Sequence, residues 1–132
     1  MPLSNSRKVS QKGLLSAPEL LGYSAAFKYL WMVYRQSALR AGRSFNITPE
    51  QFNSLINGDC AYCGAKPSNL TKLLTAKNIQ YNGVDRINSS QGYIQGNLRS
   101  CCKTCNSMKS KLSTEEFVAH ASRIASHQQQ SA

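Results

Sequence analysis

The chain has 132 residues, with sixteen Lys and Arg against six Asp and Glu and a formal charge of +10. That size predicts one small domain with tails, in which apolar burial alone is marginal and a structural metal adds stability. The charge points to a polyanionic partner. No run of eighteen apolar residues exists, which excludes a membrane-spanning helix, and the polar, basic stretch Met1–Gly13 lacks the apolar centre of a secretory signal.

Residues 1–16, with Arg7, Lys8 and Lys12 among Ser and Gln, are expected to form a flexible basic arm. A helical region follows over 17–58. Between Pro18 and Gly42, the residues Tyr23, Phe27, Leu30, Trp31, Tyr34, Ala38 and Ala41 fall on one face at a period of 3.6. An aromatic stripe at that spacing reads as core. Arg35, Arg40 and Arg43 are candidates for phosphate contact where this helix ends. Thr48-Pro49-Glu50-Gln51 is a helix start with Thr48 as cap, Pro49 in the first position and Gln51 closing a capping box. Phe52, Leu55 and Ile56 form its buried stripe, and Gly58 ends it.

Residues 65–80 read as a loop with a short regular piece around Leu70–Leu74. Tyr81–Ile87 reads as a strand, Asn88-Ser89-Ser90-Gln91-Gly92 as a turn and Asn97–Cys101 as a second strand. A short basic helix is expected over Cys102–Lys111. Ser113-Thr114-Glu115-Glu116 launches another helix, with Phe117, Ala121 and Ile124 inward, and residues 128–132 read as a disordered end. Glu50, Glu115 and Glu116 lie at helix starts, where the backbone dipole favours them. That leaves Asp85 as the one acid between Cys60 and Thr114, a lone carboxylate in a basic field and a good cation ligand.

Four of the five cysteines form two pairs, Cys60-x-x-Cys63 and Cys102-x-x-Cys105. Four soft thiolates in tight polar turns suit a tetrahedral zinc. A closed set of four leaves no open coordination position, so this zinc is structural and ties together the entrance and exit of the intervening hairpin. Metal-bound thiols fit a reducing intracellular compartment, cytoplasm or nucleoid, better than a disulfide framework does. Cys101 reads as a buried strand residue.

The first cysteine pair, Val84-Asp85-Arg86-Ile87, Gly92-Tyr93, Asn97-Leu98 and Cys102-x-x-Cys105-Asn106-x-x-Lys109 together resemble the HNH endonuclease family, in particular its compact zinc-bearing members from phages and mobile introns. The resemblance runs from about Tyr34 to Ile124. It implies a small α+β fold over 59–127 with a ββα-metal core stapled by the four-cysteine zinc. It also implies metal-dependent hydrolysis of DNA. By position, Asp85 and Asn106 match the two ligands of a divalent ion, with Asn97 bracing the loop between the strands. One carboxylate and one amide oxygen leave most of the shell to water and phosphate, as Mg²⁺ or Mn²⁺ prefers.

Arg86 stands where the family usually carries a His general base. Arginine cannot accept a proton at useful pH, but it can clamp a phosphate oxygen. The proton acceptor is therefore open among His120, Tyr93, Tyr81 and hydroxide at the metal. Arg99, Lys103, Lys109 and Lys111 are expected to hold the DNA backbone. So small a surface reads little sequence by itself, which calls for a homodimer or a protein partner on duplex DNA. The competing readings are a zinc-stapled DNA-binding module without cleavage and a Cys-x-x-Cys redox protein, the latter disfavoured because both pairs are tied up in zinc.

Overall fold

The computed structural model describes residues 18–131, so the basic arm expected over 1–16 lies outside the described residues. Ser24 caps the first helix, α1 (Ala25–Arg40), by accepting a hydrogen bond from the Phe27 N–H at 3.2 Å. A single 3₁₀ turn, Pro18–Leu20, precedes it. The helix buries Phe27, Leu30, Trp31 and Ala38, with Tyr23 and Tyr34 half-buried beside them, whereas Ala41 lies beyond its end and is exposed. In α2 (Pro49–Asn57) the capping box is reciprocal, with Thr48 Oγ1 accepting from Gln51 N at 3.1 Å and Gln51 Oε1 from Thr48 N at 2.9 Å. Phe52 and Ile56 face inward, and the Phe52 ring meets those of Phe27, Trp31 and Tyr34 with centroids 5.5–5.6 Å apart.

Among the described residues, six short strands pair two by two. β1 (Phe45–Asn46) runs parallel to β5 (Tyr93–Ile94), and β2 (Asn69–Leu70) antiparallel to β3 (Gln80–Tyr81). The central pair is antiparallel β4 (Gly83–Arg86) and β6 (Leu98–Cys101), in the register Asp85↔Arg99 and Arg86↔Leu98. Two glycines permit close approaches here. A Cβ at Gly92 would come within 2.6 Å of the Ser44 carbonyl oxygen, and one at Gly83 within 2.8 Å of the Tyr34 hydroxyl, which accepts from the Val84 N–H. Directly after β6, α3 (Lys103–Lys109) packs on β4, completing the expected strand–strand–helix unit of an α+β fold.

The last helix, α4 (Thr114–Ser131), opens with the capping box read from Ser113 and Glu116. It differs from expectation in two respects. Of the expected inner stripe only Phe117 is buried, while Ala121 is half-buried and Ile124 is 45% exposed, because no second layer among the described residues packs against it. The helix also continues through Gln128–Gln130, where a disordered end was expected. Gln and Ala are good helix formers, and no Gly or Pro interrupts the run.

Two clusters of buried side chains result. One is aromatic and aliphatic, built from α1, α2, β1 and Val84. The other is Cys60, Cys101, Cys102, Cys105 and Phe117, with Tyr62 and Ala65 against it. The β4–β6 hairpin contributes to both.

Candidate functional site

The four paired cysteines converge, their Sγ atoms all lying within 4.8 Å of one another. Cys63 and Cys102 are 3.7 Å apart, close to the ~3.8 Å edge of a tetrahedron with sulfur–zinc bonds of about 2.3 Å. Backbone geometry builds both knuckles. The Gly64 N–H donates to the Cys60 carbonyl at 2.9 Å with Gly64 at φ +78°, and the Cys105 N–H donates to Cys102 Sγ at 3.3 Å where Cys102 caps α3. Burial works against a charged Cys60, but N–H donors of Cys102, Cys63 and Tyr62 outweigh it and hold that thiol down at about 6. Burial pushes Cys105 upward, as does its sharing of hydrogen bonds with Cys102, Cys63 and Cys60. Thiolates this close repel one another unless a cation shares their charge, and the set could hold zinc. Cys101 stands apart as a buried strand residue whose thiol burial pushes up to about 12.

On the other side of the hairpin, Asp85 and Asn106 line one hollow of about 180 Å³ with Tyr34, Val84, Arg86, Ser89, Tyr93, Lys109 and Ser110. It has room for an ion with a few waters or for a phosphate group, not for a large ligand. Asp85 comes from the middle of β4 and Asn106 from the second turn of α3, so the packing of α3 on β4 brings the two expected ligands together. Ser110, at the end of α3, sits at φ +50°, a conformation that a residue with a Cβ rarely adopts. Among the described residues no second group of three or more His, Cys, Asp or Glu converges. Any cation in the hollow therefore depends on one carboxylate.

Both oxygens of that carboxylate are engaged. Oδ2 accepts from the Tyr62 hydroxyl at 2.7 Å, and Oδ1 faces the Lys109 ammonium at 3.3 Å in a buried ion pair. Lys109, expected as a contact to the DNA backbone, is only 2% exposed, and its ammonium pairs with Asp85 at the edge of the hollow. Arg86 is also committed. One Nη donates to the carbonyls of Ser89 at 2.6 Å and Gln91 at 2.9 Å, and the guanidinium lies 5.8 Å from the centre of the Tyr93 ring. Asn97 is buried and braces the turn between the strands, its amide donating to the carbonyls of Asn88 and Gly92 while its oxygen accepts from the Asn88 N–H.

Of the residues considered as proton acceptors, only Tyr93 borders the hollow. Tyr81 lies in the β2–β3 pair, where its hydroxyl accepts from the Asn69 amide, and His120 and His127 line a separate groove on α4. Tyr34 also borders the hollow, but burial pushes its pKa up to about 12, and its hydroxyl oxygen accepts from Val84 N. Lys103, Lys111, Arg40 and Arg43 are exposed, while Arg99 is half-buried with its guanidinium 5.5 Å from the centre of the Tyr62 ring. Arg35 is half-buried on α1.

Tyr62, Tyr34 and Ser110 are the site residues that the sequence reading missed. For Lys109 a signal existed: in Asn106-x-x-Lys109 a helical spacing of three places both side chains on one face. Tyr62 offered only an aromatic ring between two cysteines, where a small or polar residue is enough to make the turn.

No known protein-family profile matches the chain. Over 97 residues, 74% of its length, the chain is 34% identical to R423, an uncharacterised protein of Acanthamoeba polyphaga mimivirus, and spans 16% of that protein. Among solved structures it resembles the rare-cutting HNH restriction endonuclease PacI, with a TM-score of 0.56 and 23% identity, covering 84% of this chain and 87% of that one. The likeness is one of fold. It supports an HNH-like architecture for the strand–strand–helix unit and its cysteine cluster.

Proposed function

We propose that the chain is a metal-dependent HNH-type endonuclease that hydrolyses phosphodiester bonds of duplex DNA, with a zinc in the four-cysteine cluster as a structural staple. One observation carries this reading: Asp85 and Asn106, on separate elements, line the same phosphate-sized hollow of a fold similar to that of an HNH endonuclease. Asp85 and the Asn106 amide oxygen would hold the divalent ion, Mg²⁺ or Mn²⁺, which when bound supplies charge stabilisation at the phosphate. Arg86 has further N–H donors on its fork besides those bound to the Ser89 and Gln91 carbonyls, and these would clamp a phosphate oxygen. Tyr93, which borders the hollow, would relay the proton of the attacking water. Lys103, Lys111, Arg40, Arg43, Arg99 and Arg35 are candidates to hold the backbone, giving a steep salt dependence.

A role in a phage or other mobile element would follow from the family resemblance, and the similar protein R423 comes from a virus, a mimivirus. A reducing compartment, cytoplasm or nucleoid, would keep four metal-bound thiols intact, and a homodimer or protein partner would extend the short reading surface.

A second reading, a zinc-stapled DNA-binding module without cleavage, draws on a specific observation: both Asp85 oxygens already have partners, one of them a buried lysine. Plasmid digestion with Mg²⁺ or Mn²⁺ separates the two. Nicked or linear DNA with the natural chain and none with Asp85→Ala is the expected result. Intact plasmid under both metals, with DNA still retarded on a gel, leaves the binding module.

A further inference from the structure

The cysteine cluster and the hollow are joined by one side chain. Tyr62 lies inside the first knuckle, between Cys60 and Cys63, and its hydroxyl reaches out of the sulfur cluster to Asp85 Oδ2 at 2.7 Å. The same oxygen is 3.2 Å from Thr114 Oγ1. A carboxylate can only accept, so the Tyr62 proton goes to Asp85 and the Thr114 hydroxyl must be the donor to Tyr62. The direction of both bonds is thereby fixed, from the first residue of α4 through the knuckle to β4.

The ring is held as firmly as the hydroxyl. Phe117 meets it edge to face with centroids 5.2 Å apart, and Arg99, the cross-strand partner of Asp85, places its guanidinium over the ring. Bonds to an ionised carboxylate are among the stronger hydrogen bonds, and they set its orientation. With Oδ2 fixed, Oδ1 is the oxygen directed at Lys109, which itself borders the hollow.

We infer that Tyr62 is a positioning residue that transmits the geometry of the cysteine knuckle to Asp85 and so tunes the affinity of the hollow for a divalent cation. This rests on the proposed reading of Asp85 as a cation ligand. Groups that orient a metal ligand typically change affinity or activity by about 10–100-fold when removed.

The test uses the full-length zinc-loaded chain. Tyr62→Phe keeps the ring and removes only the hydroxyl. Zinc content, far-UV CD and Mn²⁺ affinity by titration calorimetry are measured for the natural chain, Tyr62→Phe and Asp85→Asn. The expected result is full zinc and an unchanged CD spectrum for Tyr62→Phe, with Mn²⁺ binding about tenfold weaker, and no Mn²⁺ binding for Asp85→Asn. A Tyr62→Phe variant that binds Mn²⁺ like the natural chain, while Asp85→Asn does not bind it, overturns the inference and leaves the nuclease reading standing. Mn²⁺ binding by Asp85→Asn equal to that of the natural chain overturns both. If Tyr62→Phe loses zinc, Thr114→Val carries the test, because it removes the donor behind Tyr62 without touching the knuckle. Weakened Mn²⁺ binding with full zinc then supports the inference, and unchanged binding overturns it.

Discussion

The two buried clusters of this molecule are stabilised by different physics. The cluster of α1 and α2 sets the rings of Phe27 and Trp31 edge to face against Phe52, with Leu30 and Ile56 buried beside them, so its stability comes from apolar area removed from water. The other holds four thiols around a common point with a single phenylalanine, Phe117, for apolar cover. Four sulfur ligands without a cation repel one another, while four around zinc lock two chain segments nearly forty residues apart. The hollow lies between the two clusters, lined by Tyr34, Val84 and Tyr93 of the aromatic side and joined to the sulfur side through the Asp85–Tyr62 hydrogen bond. Zinc held by the four cysteines would fix the ends of the hairpin that carries Asp85 with very little core.

Removing the metal is the most severe way to break that comparison. Zinc in a structural cysteine site is worth about 10–16 kcal/mol at neutral pH, as much as or more than the ~5–15 kcal/mol net stability of a whole domain. Stringent chelation, or Cys105→Ser, is therefore expected to lower the far-UV CD signal and to abolish hydrogen-exchange protection in α3 and β6. A chelated chain that keeps its full CD signal would show that the sulfur cluster needs no ion.

The aromatic side should respond through volume instead. Phe52→Ala is expected to cost about 3–5 kcal/mol in urea unfolding while zinc content stays the same. A loss of zinc in that variant would mean that the two clusters are not separable.

The ion pair between them gives a finer probe. Lys109→Met leaves a buried carboxylate unpaired, which costs about 3–5 kcal/mol when no divalent cation is added. Added Mn²⁺ is expected to restore part of that stability, since it can take over the charge of the lysine at Asp85. Denaturant titrations with and without Mn²⁺ measure the difference, and equal losses in both would place the cation elsewhere. The smallest effect expected is that of Thr48→Ala, about 1 kcal/mol from loss of the cap on α2, confined to the aromatic side.

These contrasts also mark what could be read from residue order. The capping boxes at Thr48 and Ser113 and the two central strands rest on short-range spacing, the cysteine cluster on residue type and pairing, and the bracing by Asn97 on the family resemblance, and all are present. The placement of Tyr62 and Arg86 could not be read in the same way, and for Lys109 the helical spacing gives its side of α3 but not its partner. Whether a long side chain meets solvent, a carboxylate or a loop carbonyl depends on how the chain folds around it: Arg86 is met by Ser89 and Gln91 of the turn that follows it, whereas Asp85 meets Tyr62 and Lys109 from distant segments. The solvent face of α4 was misjudged for a related reason. A periodic stripe at Phe117, Ala121 and Ile124 says which residues share a side, not whether anything is there to cover it.

The parallel pairing of Phe45 with Tyr93 bears on the order of assembly. It joins two dipeptide strands far apart along the chain, so the entropic cost of closing that loop precedes almost any local reward. The wall of the hollow that carries Tyr93 is therefore expected to be added late in refolding, after α1, α2 and the metal knuckles have formed. Stopped-flow refolding should show far-UV ellipticity recovering ahead of Mn²⁺ binding, leaving a transient species that is helical but does not yet bind Mn²⁺.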